Sequence, residues 1–302
     1  MASAPPDLES KTSQSWRGRV QSTRKALKRA PVIPIAVAGV VVLAAVFAEA
    51  LAPHDPGAVF LMNRLEPPVW HAEGTWTHAL GTDAVGRDIL SRIIFGARVS
   101  LVVASAALII GASVGTLLGM ISGFVGGRVD TVLMRLVDMA LGFPMLLFAL
   151  LLAATFGPSQ GVVIVAISAV LWARFARVVR GEALSLRERD FILMARVAGT
   201  STSKTILRHI LPNVANTVVV IGSLQLGWTI LVEASLSFLG AGIPPPTPAW
   251  GSMTAQGRDH LASAYWISLL PGIAIMFAVL AFNLLGDWLR DRLDPKLQSS
   301  LT

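Results

Sequence analysis

Six stretches of this chain stay apolar for some twenty residues each, and nothing else in it limits the architecture as much. They fall at residues 32–51, 99–124, 131–156, 161–179, 214–239 and 266–285. A bilayer's hydrocarbon core is about 30 Å thick and takes roughly 20 apolar residues of helix to cross. Within it every backbone N–H and C=O must be satisfied inside the segment, which selects helices for stretches of this kind. Composition agrees, with 54% hydrophobic and 14% charged residues against about 25% charged in a soluble domain. The expected fold is an all-α membrane protein with six transmembrane helices. The fourth stretch is the weakest, because Arg174 and Arg177 enter its end, but long cationic stems can snorkel. Ala48-Glu49-Ala50 resembles a signal-peptidase site. The apolar run before it is longer than the roughly 7–15 residues of a signal peptide, so it reads as an uncleaved anchor.

Lysine and arginine set the orientation. With the N-terminus inside, the inner face receives the basic segment 1–30, Arg128, then Arg174, Arg177, Arg180, Arg187, Arg189, Arg196, Lys204 and Arg208, and finally Arg290, Arg292 and Lys296. The outer face holds Arg64, Arg87, Arg92, Arg98 and Arg258. Both termini are therefore expected in the cytoplasm. This divides the chain into a basic tail (1–30), a first helix (31–51), an extracytoplasmic loop with an interfacial helix (52–97), a transmembrane core (98–287) holding a cytoplasmic loop (181–213), and a tail (288–302). The net charge of +7 flanks apolar runs on one side, which argues for a membrane and against nucleic acid. Absence of Cys removes disulfides, thiol catalysis and Cys-type metal sites. No internal repeat of the kind seen in inverted-repeat transporters stands out.

Several motifs have plain structural readings. Gly111, Gly115, Gly119 and Gly123 recur every four residues, a stripe that lets another helix approach closely, within the chain or across a dimer. Gly157-Pro158-Ser159-Gln160-Gly161 matches a nucleophile pattern, but it joins two apolar helices instead of a strand and a helix. It reads as a turn. Neither H-E-x-x-H nor a phosphate-binding loop occurs. Arg135 and Asp138 lie one helical turn apart near the inner end of the third span, as a neutral pair or as part of a gate or pathway. Glu233, isolated deep in the fifth span, needs a cavity, a partner helix or protonation to be tolerated. In 80–100, Ile89, Leu90, Ile93, Ile94 and Val99 fit an amphipathic helix lying in the outer interface.

Residues 190–212, DFILMARVAGTSTSKTILRHILP, are too polar to span a bilayer yet well patterned. Phe191, Met194, Ala195 and Ala198 recur at helical spacing. Gly199 suits a helix end, and Thr200 or Ser201 can cap the next turn. Ile206, Leu207, Ile210 and Leu211 form an apolar side before Pro212. Small side chains at Ala195, Ala198 and Gly199 would permit insertion into a partner's groove, while Arg189 and Arg196 lie on other faces.

On these residues the chain resembles the inner-membrane permeases of ATP-binding-cassette importers, whose EAA loop reads E-A-A-x3-G-x9-I-x-L-P. Ala195, Gly199, Leu211 and Pro212 match; Leu193, Met194 and His209 depart, and Glu188 or Asp190 stands nearest to the missing glutamate. LGTDAVGRDILSRIIFGARVSL, ASLSFLGAGIPPPTPAWGSM and AFNLLGDWLRDRLDPKL are similar to the C-type permease of dipeptide, oligopeptide and nickel importers, nearest to dipeptide permeases. The resemblance covers about residues 30–297. It implies a type I importer permease, non-catalytic and free of cofactors. Its partners would be a related second permease, two cytoplasmic ATPases carrying ATP and Mg, and an extracytoplasmic solute-binding protein. ATP binding would close the ATPases and, through the EAA loop, open the bundle outward; hydrolysis would reset it. Nickel, glutathione or D-peptides are alternative solutes. A self-sufficient channel or secondary transporter is the alternative of another class, and a hydrolase built on Ser159 is a third.

Overall fold

A computed structural model of the chain describes residues 31–293. The basic tail 1–30 and the end of the C-terminal tail lie outside the described residues. The elements are helical: α1 (Val32–Val46), α2 (Ala48–Leu51), α3 (Ile89–Val125), α4 (Gly127–Gly142), α5 (Met145–Phe156), α6 (Gln160–Arg187), α7 (Asp190–Val197), α8 (Thr202–Thr205), α9 (Leu211–Phe238), α10 (Trp250–Gly257) and α11 (Trp266–Leu293). Single 3-10 turns occur at Leu61–Asn63 and Arg258–His260, and a π turn at Ile206–Ile210. β-pairing among the described residues amounts to one antiparallel bridge, Thr82 with Asp88.

Among the described residues, four helices are long and apolar enough to cross a membrane, namely Ile89–Val125, Gln160–Arg187, Thr202–Phe238 and Trp266–Leu293. The expected third span is one of two departures. It is broken into α4 and α5, bent by 84°. Pro144 follows Phe143, whose backbone is extended (φ −86°, ψ 131°), because a proline's ring disfavours helical geometry in the residue before it. The first span is the other. It is interrupted at Phe47, leaving 15 residues in α1, about 22 Å of helix.

Three boundaries also differ. The interfacial helix expected in 80–100 is the first part of α3, which continues for 37 residues, because no proline interrupts its hydrogen bonds after the Asp88 cap. At the other side, α6 extends to Arg187 and so takes up the start of the expected loop 181–213. The run Thr202–Phe238 is continuous through Pro212, whereas the loop was expected to end at 213 and the fifth span to begin at 214. Pro212 cannot donate to the Arg208 carbonyl, and its ring crowds that carbonyl. The wider π turn before it, closed by Leu211 N–H on Ile206 O, makes the room.

The glycine stripe of α3 lies against α6 of the same chain. A methyl built on Gly111 would sit 2.6 Å from Leu171 Cβ, on Gly115 2.6 Å from Phe175 Cβ, on Gly119 3.0 Å from Val179 Cβ and on Gly123 2.8 Å from Ala183 Cβ. Partner numbers rise with the glycine numbers, so the two helices run parallel. Lipid gives little hydrophobic drive for such association, and close backbone packing supplies it.

The bundle has two distinct ends. At one, the long loop after α2 folds over α3, α10 and α11: Trp250 Nε1 donates to Ile93 O at 2.9 Å and Trp266 Nε1 to Thr82 O at 3.2 Å. Asp83 accepts from Val85 and Arg87 N–H, each at 3.0 Å, and Asp88 caps α3 by accepting from Ser91 N–H at 2.7 Å. The opposite end carries α7, α8 and the π turn, with Ile192, Ile206 and Ile210 packed on Met120, Phe124, Val179, Ala183 and Val214. The cationic residues Arg128, Arg180, Arg187, Arg189, Lys204 and Arg208 belong to the segments of this basic end.

Candidate functional site

The segment 190–212 sits at the basic end as two unequal pieces. In α7, Ile192 is fully buried, in one cluster with Phe124, Val179, Ile206 and Ile210. Its other faces are open: Met194 is 72% and Val197 90% exposed, and Leu193, Ala198, Gly199, Arg189 and Asp190 are exposed as well. Ala195 is half-buried. A short helix thus hangs on one isoleucine and shows an apolar surface to the solvent. Sequence patterning picked out Phe191 and Met194 but passed over Ile192, whose only mark was its place between two other apolar residues.

Gly199 ends the helix in the left-handed region (φ 73°). The Thr200 N–H then reaches Ala195 O at 3.0 Å, a 6→1 closure that satisfies an otherwise orphaned carbonyl. No side-chain cap forms at Ser201; its carbonyl instead accepts from Thr205 N–H at 2.9 Å. His209 approaches the Phe191 ring with centroids 6.4 Å apart, and its carbonyl accepts from Asn213 Nδ2 at 2.6 Å. Leu211 packs on the Ile192 cluster, and Pro212 lies in the first turn of α9.

The remaining charged candidates are dispersed. Asp138 pairs with Arg177 of α6. Arg135 is exposed on the same helix and takes no part in that pair, so the Arg135–Asp138 neutralisation expected from spacing is replaced by an interhelical bridge. Glu233 is fully buried. Ser100 Oγ donates to one of its oxygens at 2.7 Å and Ser237 Oγ to the other at 2.8 Å, joining α3 to α9. Ser159 caps α6 by accepting from Val162 N–H at 3.3 Å.

Two polar contacts lay beyond sequence reasoning. Arg180 donates Nη2–H to Asp130 Oδ2 at 2.6 Å and a second N–H to the other oxygen, while Ser122 Oγ also donates to Asp130. This bidentate pair ties α4 to α6 and α3. Arg174 lies 4.0 Å from the Trp228 ring centre and donates to Gln225 Oε1 at 3.1 Å, a cation–π arrangement suited to a poorly solvated site. Each brings together residues about fifty positions apart, a separation no periodicity reports.

This geometry describes a helical chain with several apolar helices of membrane-spanning length and one short helix whose apolar side is exposed. The family model for the inner membrane component of binding-protein-dependent transport systems matches residues 115–299. The chain belongs to that family. It is the non-catalytic, multi-pass inner-membrane part of such a transport system, and membership implies ATPase and binding-protein partners. It is 40% identical over 260 residues to the di/tripeptide transport system permease protein DppC of Pseudomonas aeruginosa, covering 86% of each. Over 256 residues it is 41% identical to the glutathione transport system permease protein GsiD of Pectobacterium atrosepticum, covering 84% of this chain and 83% of that one. Among solved structures, the MetNI methionine ABC transporter in an inward-facing conformation superposes with a TM-score of 0.53 at 14% identity, over 68% of this chain and 96% of that one. At that identity the likeness speaks for the fold.

Proposed function

We propose that this chain forms half of the translocation pathway of an ATP-driven importer for di- and oligopeptides. It would work beside a homologous second permease, two cytoplasmic ATPases and an extracytoplasmic binding protein. The observation that carries the coupling role is α7, anchored by buried Ile192 and open along Leu193, Met194 and Val197. In this reading Arg189, Asp190, Leu193, Met194, Ala195, Ala198 and Gly199 form the ATPase-facing surface. His209, Leu211 and Pro212 join it to α9, so that movement of α7 is passed to the bundle. Arg135 and Asp138 belong to the gate region of α4, and the buried position of Glu233 favours a joint between α3 and α9.

The chain crosses the membrane six times in this reading, with α1 and α2 together as the first span and α4 and α5 together as the third. Both termini then lie in the cytoplasm with the basic end, and the 52–88 loop lies outside. The peptide assignment rests on relatives such as the di/tripeptide permease. The glutathione permease is equally similar, and glutathione is itself a tripeptide with a modified linkage, so it stands as the second solute.

The test is uptake into proteoliposomes holding the whole complex and the binding protein. Wild type should accumulate labelled dipeptide only with ATP inside, and competition with unlabelled glutathione separates the two solutes. Gly199→Glu, at an exposed turn, should leave membrane insertion intact and lower uptake at least tenfold by obstructing the ATPase-facing turn. Normal uptake in that variant would overturn the coupling role.

A further inference from the structure

At the loop end, three groups unused by the proposed mechanism converge. His54 follows α2, His78 lies in the long loop, and Asp88 caps α3. One ligand atom from each lies within 4.8 Å of the others. His78 Nδ1 is 3.0 Å from Asp88 Oδ1, and His54 Nδ1 is 3.8 Å from Asp88 Oδ2. The two imidazole centroids are 4.7 Å apart. His78 and Asp88 are buried, whereas the His54 side chain remains 27% exposed.

Two observations set this cluster apart from a simple His–Asp pair. The Asp88 carboxylate is already satisfied, by His78 on one oxygen and by Ser91 N–H at 2.7 Å on the other. Yet His54 Nδ1 is buried beside it with no hydrogen-bond partner. An unpaired buried polar nitrogen is costly, and one aimed at a carboxylate next to a second imidazole has the makings of a ligand. Ser91 also holds both flanks: its N–H positions the Asp88 carboxylate, and its Oγ accepts from the backbone N–H of His54 at 3.0 Å, fixing the chain that carries that imidazole. Outer-shell bonds of this kind orient the ligands of metal sites.

We propose that His54, His78 and Asp88 bind a divalent first-row transition metal of the zinc or nickel class. Two imidazole nitrogens and one carboxylate oxygen suit these ions, whereas Ca²⁺ and Mg²⁺ take oxygen-rich, higher-coordinate shells. Tetrahedral ligands at about 2.0–2.1 Å from an ion stand about 3.3 Å from one another. His78 Nδ1 stands 3.0 Å from Asp88 Oδ1 and His54 Nδ1 3.8 Å from Oδ2, so side-chain rotations that gather both imidazoles around one carboxylate oxygen complete the site. The fourth position, on the open His54 side, takes water. A bound ion would staple the end of α2, the loop and the first turn of α3 to one point, whatever solute the complex moves.

The native chain makes the test clean, having no Cys and five His. The full chain in its assembled complex, without a polyhistidine tag, is stripped with chelator and titrated with Co²⁺, then with Zn²⁺. Wild type should show one additional tetrahedral Co²⁺ absorption per chain, displaced by Zn²⁺. His54→Ala should abolish that absorption and weaken Zn²⁺ binding at least tenfold. Asp88→Asn, which keeps an oxygen for the helix cap, should do the same, and His260→Ala should change nothing. A wild-type complex without the tetrahedral band, or an assembled His54→Ala complex with unchanged Zn²⁺ affinity, would overturn the site.

Discussion

Glu233 shows how a single side chain can be placed by packing. Its two oxygens are each held by a serine hydroxyl, one from α3 and one from its own helix. Ser100→Ala should leave one buried oxygen unsatisfied, at a cost of about 1–3 kcal/mol, read as a lower melting temperature of the detergent-solubilised chain; an unchanged melting curve would refute the joint. Gly115 makes a second test. A methyl there would lie 2.2 Å from Trp172 O, a backbone atom, whereas one on Gly222 meets Leu108 Cδ2 at 4.0 Å. Gly115→Ala should therefore destabilise by about 1–3 kcal/mol and Gly222→Ala should be near neutral. At this scale the sequence was only half informative. The four-residue glycine spacing announces a close helix contact, but the identity of α6 as the partner depends on tertiary packing. Glu233 was legible as a problem, and Ser237 stands one turn away, but its other partner, Ser100, lies 133 positions off in the chain.

Elements were more legible in kind than in extent. Gly142-Phe143-Pro144 carries a break that apolarity alone hides, so the third span looked continuous until backbone restriction was weighed against it. Around Pro212 the difference runs in the opposite direction: the loop was bounded at 213, yet a π turn carries one helix through the proline into the fifth span. Helix α4 is fastened to α6 by Asp130–Arg180 and Asp138–Arg177. Asp130→Ala should cost only about 1–2 kcal/mol, since the pair is partly solvated, but hydrogen exchange should rise across residues 128–140 and stay unchanged in α6. Uniform exchange in both would sink the idea of a local fastening. In α7, Met194→Glu changes an exposed position and should alter stability by no more than about 0.5 kcal/mol. It should nonetheless abolish the stimulation of ATPase activity by the binding protein; full stimulation would mean that this surface is not the docking face.

Topology is the property of the whole molecule on which the proposal most depends. Because the chain has no Cys, single cysteines can report sidedness without background. Thr75→Cys, in the long loop, should react with an impermeant maleimide in intact cells, and Val197→Cys only after permeabilisation. The reverse pattern would invert the orientation drawn from charge. Charge bias was readable in sequence because it is a summed quantity, insensitive to where helices start and stop. How the helices stack was not readable, since it rests on pairings such as Arg98 reaching Ala45 O at 2.8 Å across half a hundred residues.

The four glycines of α3 meet Leu171, Phe175, Val179 and Ala183, each exactly sixty positions onward in the chain, so the contact behaves like a toothed rack. A shift of one tooth means sliding four residues, about 6 Å, and any smaller slip drives side chains into backbone. The pair can therefore tilt or swing but cannot shear. With α3 some 55 Å long, it is a beam whose two tips lie at opposite ends of the bundle, so any tilt of the pair beside α7 also displaces the tip under the loop that carries His54, His78 and Asp88.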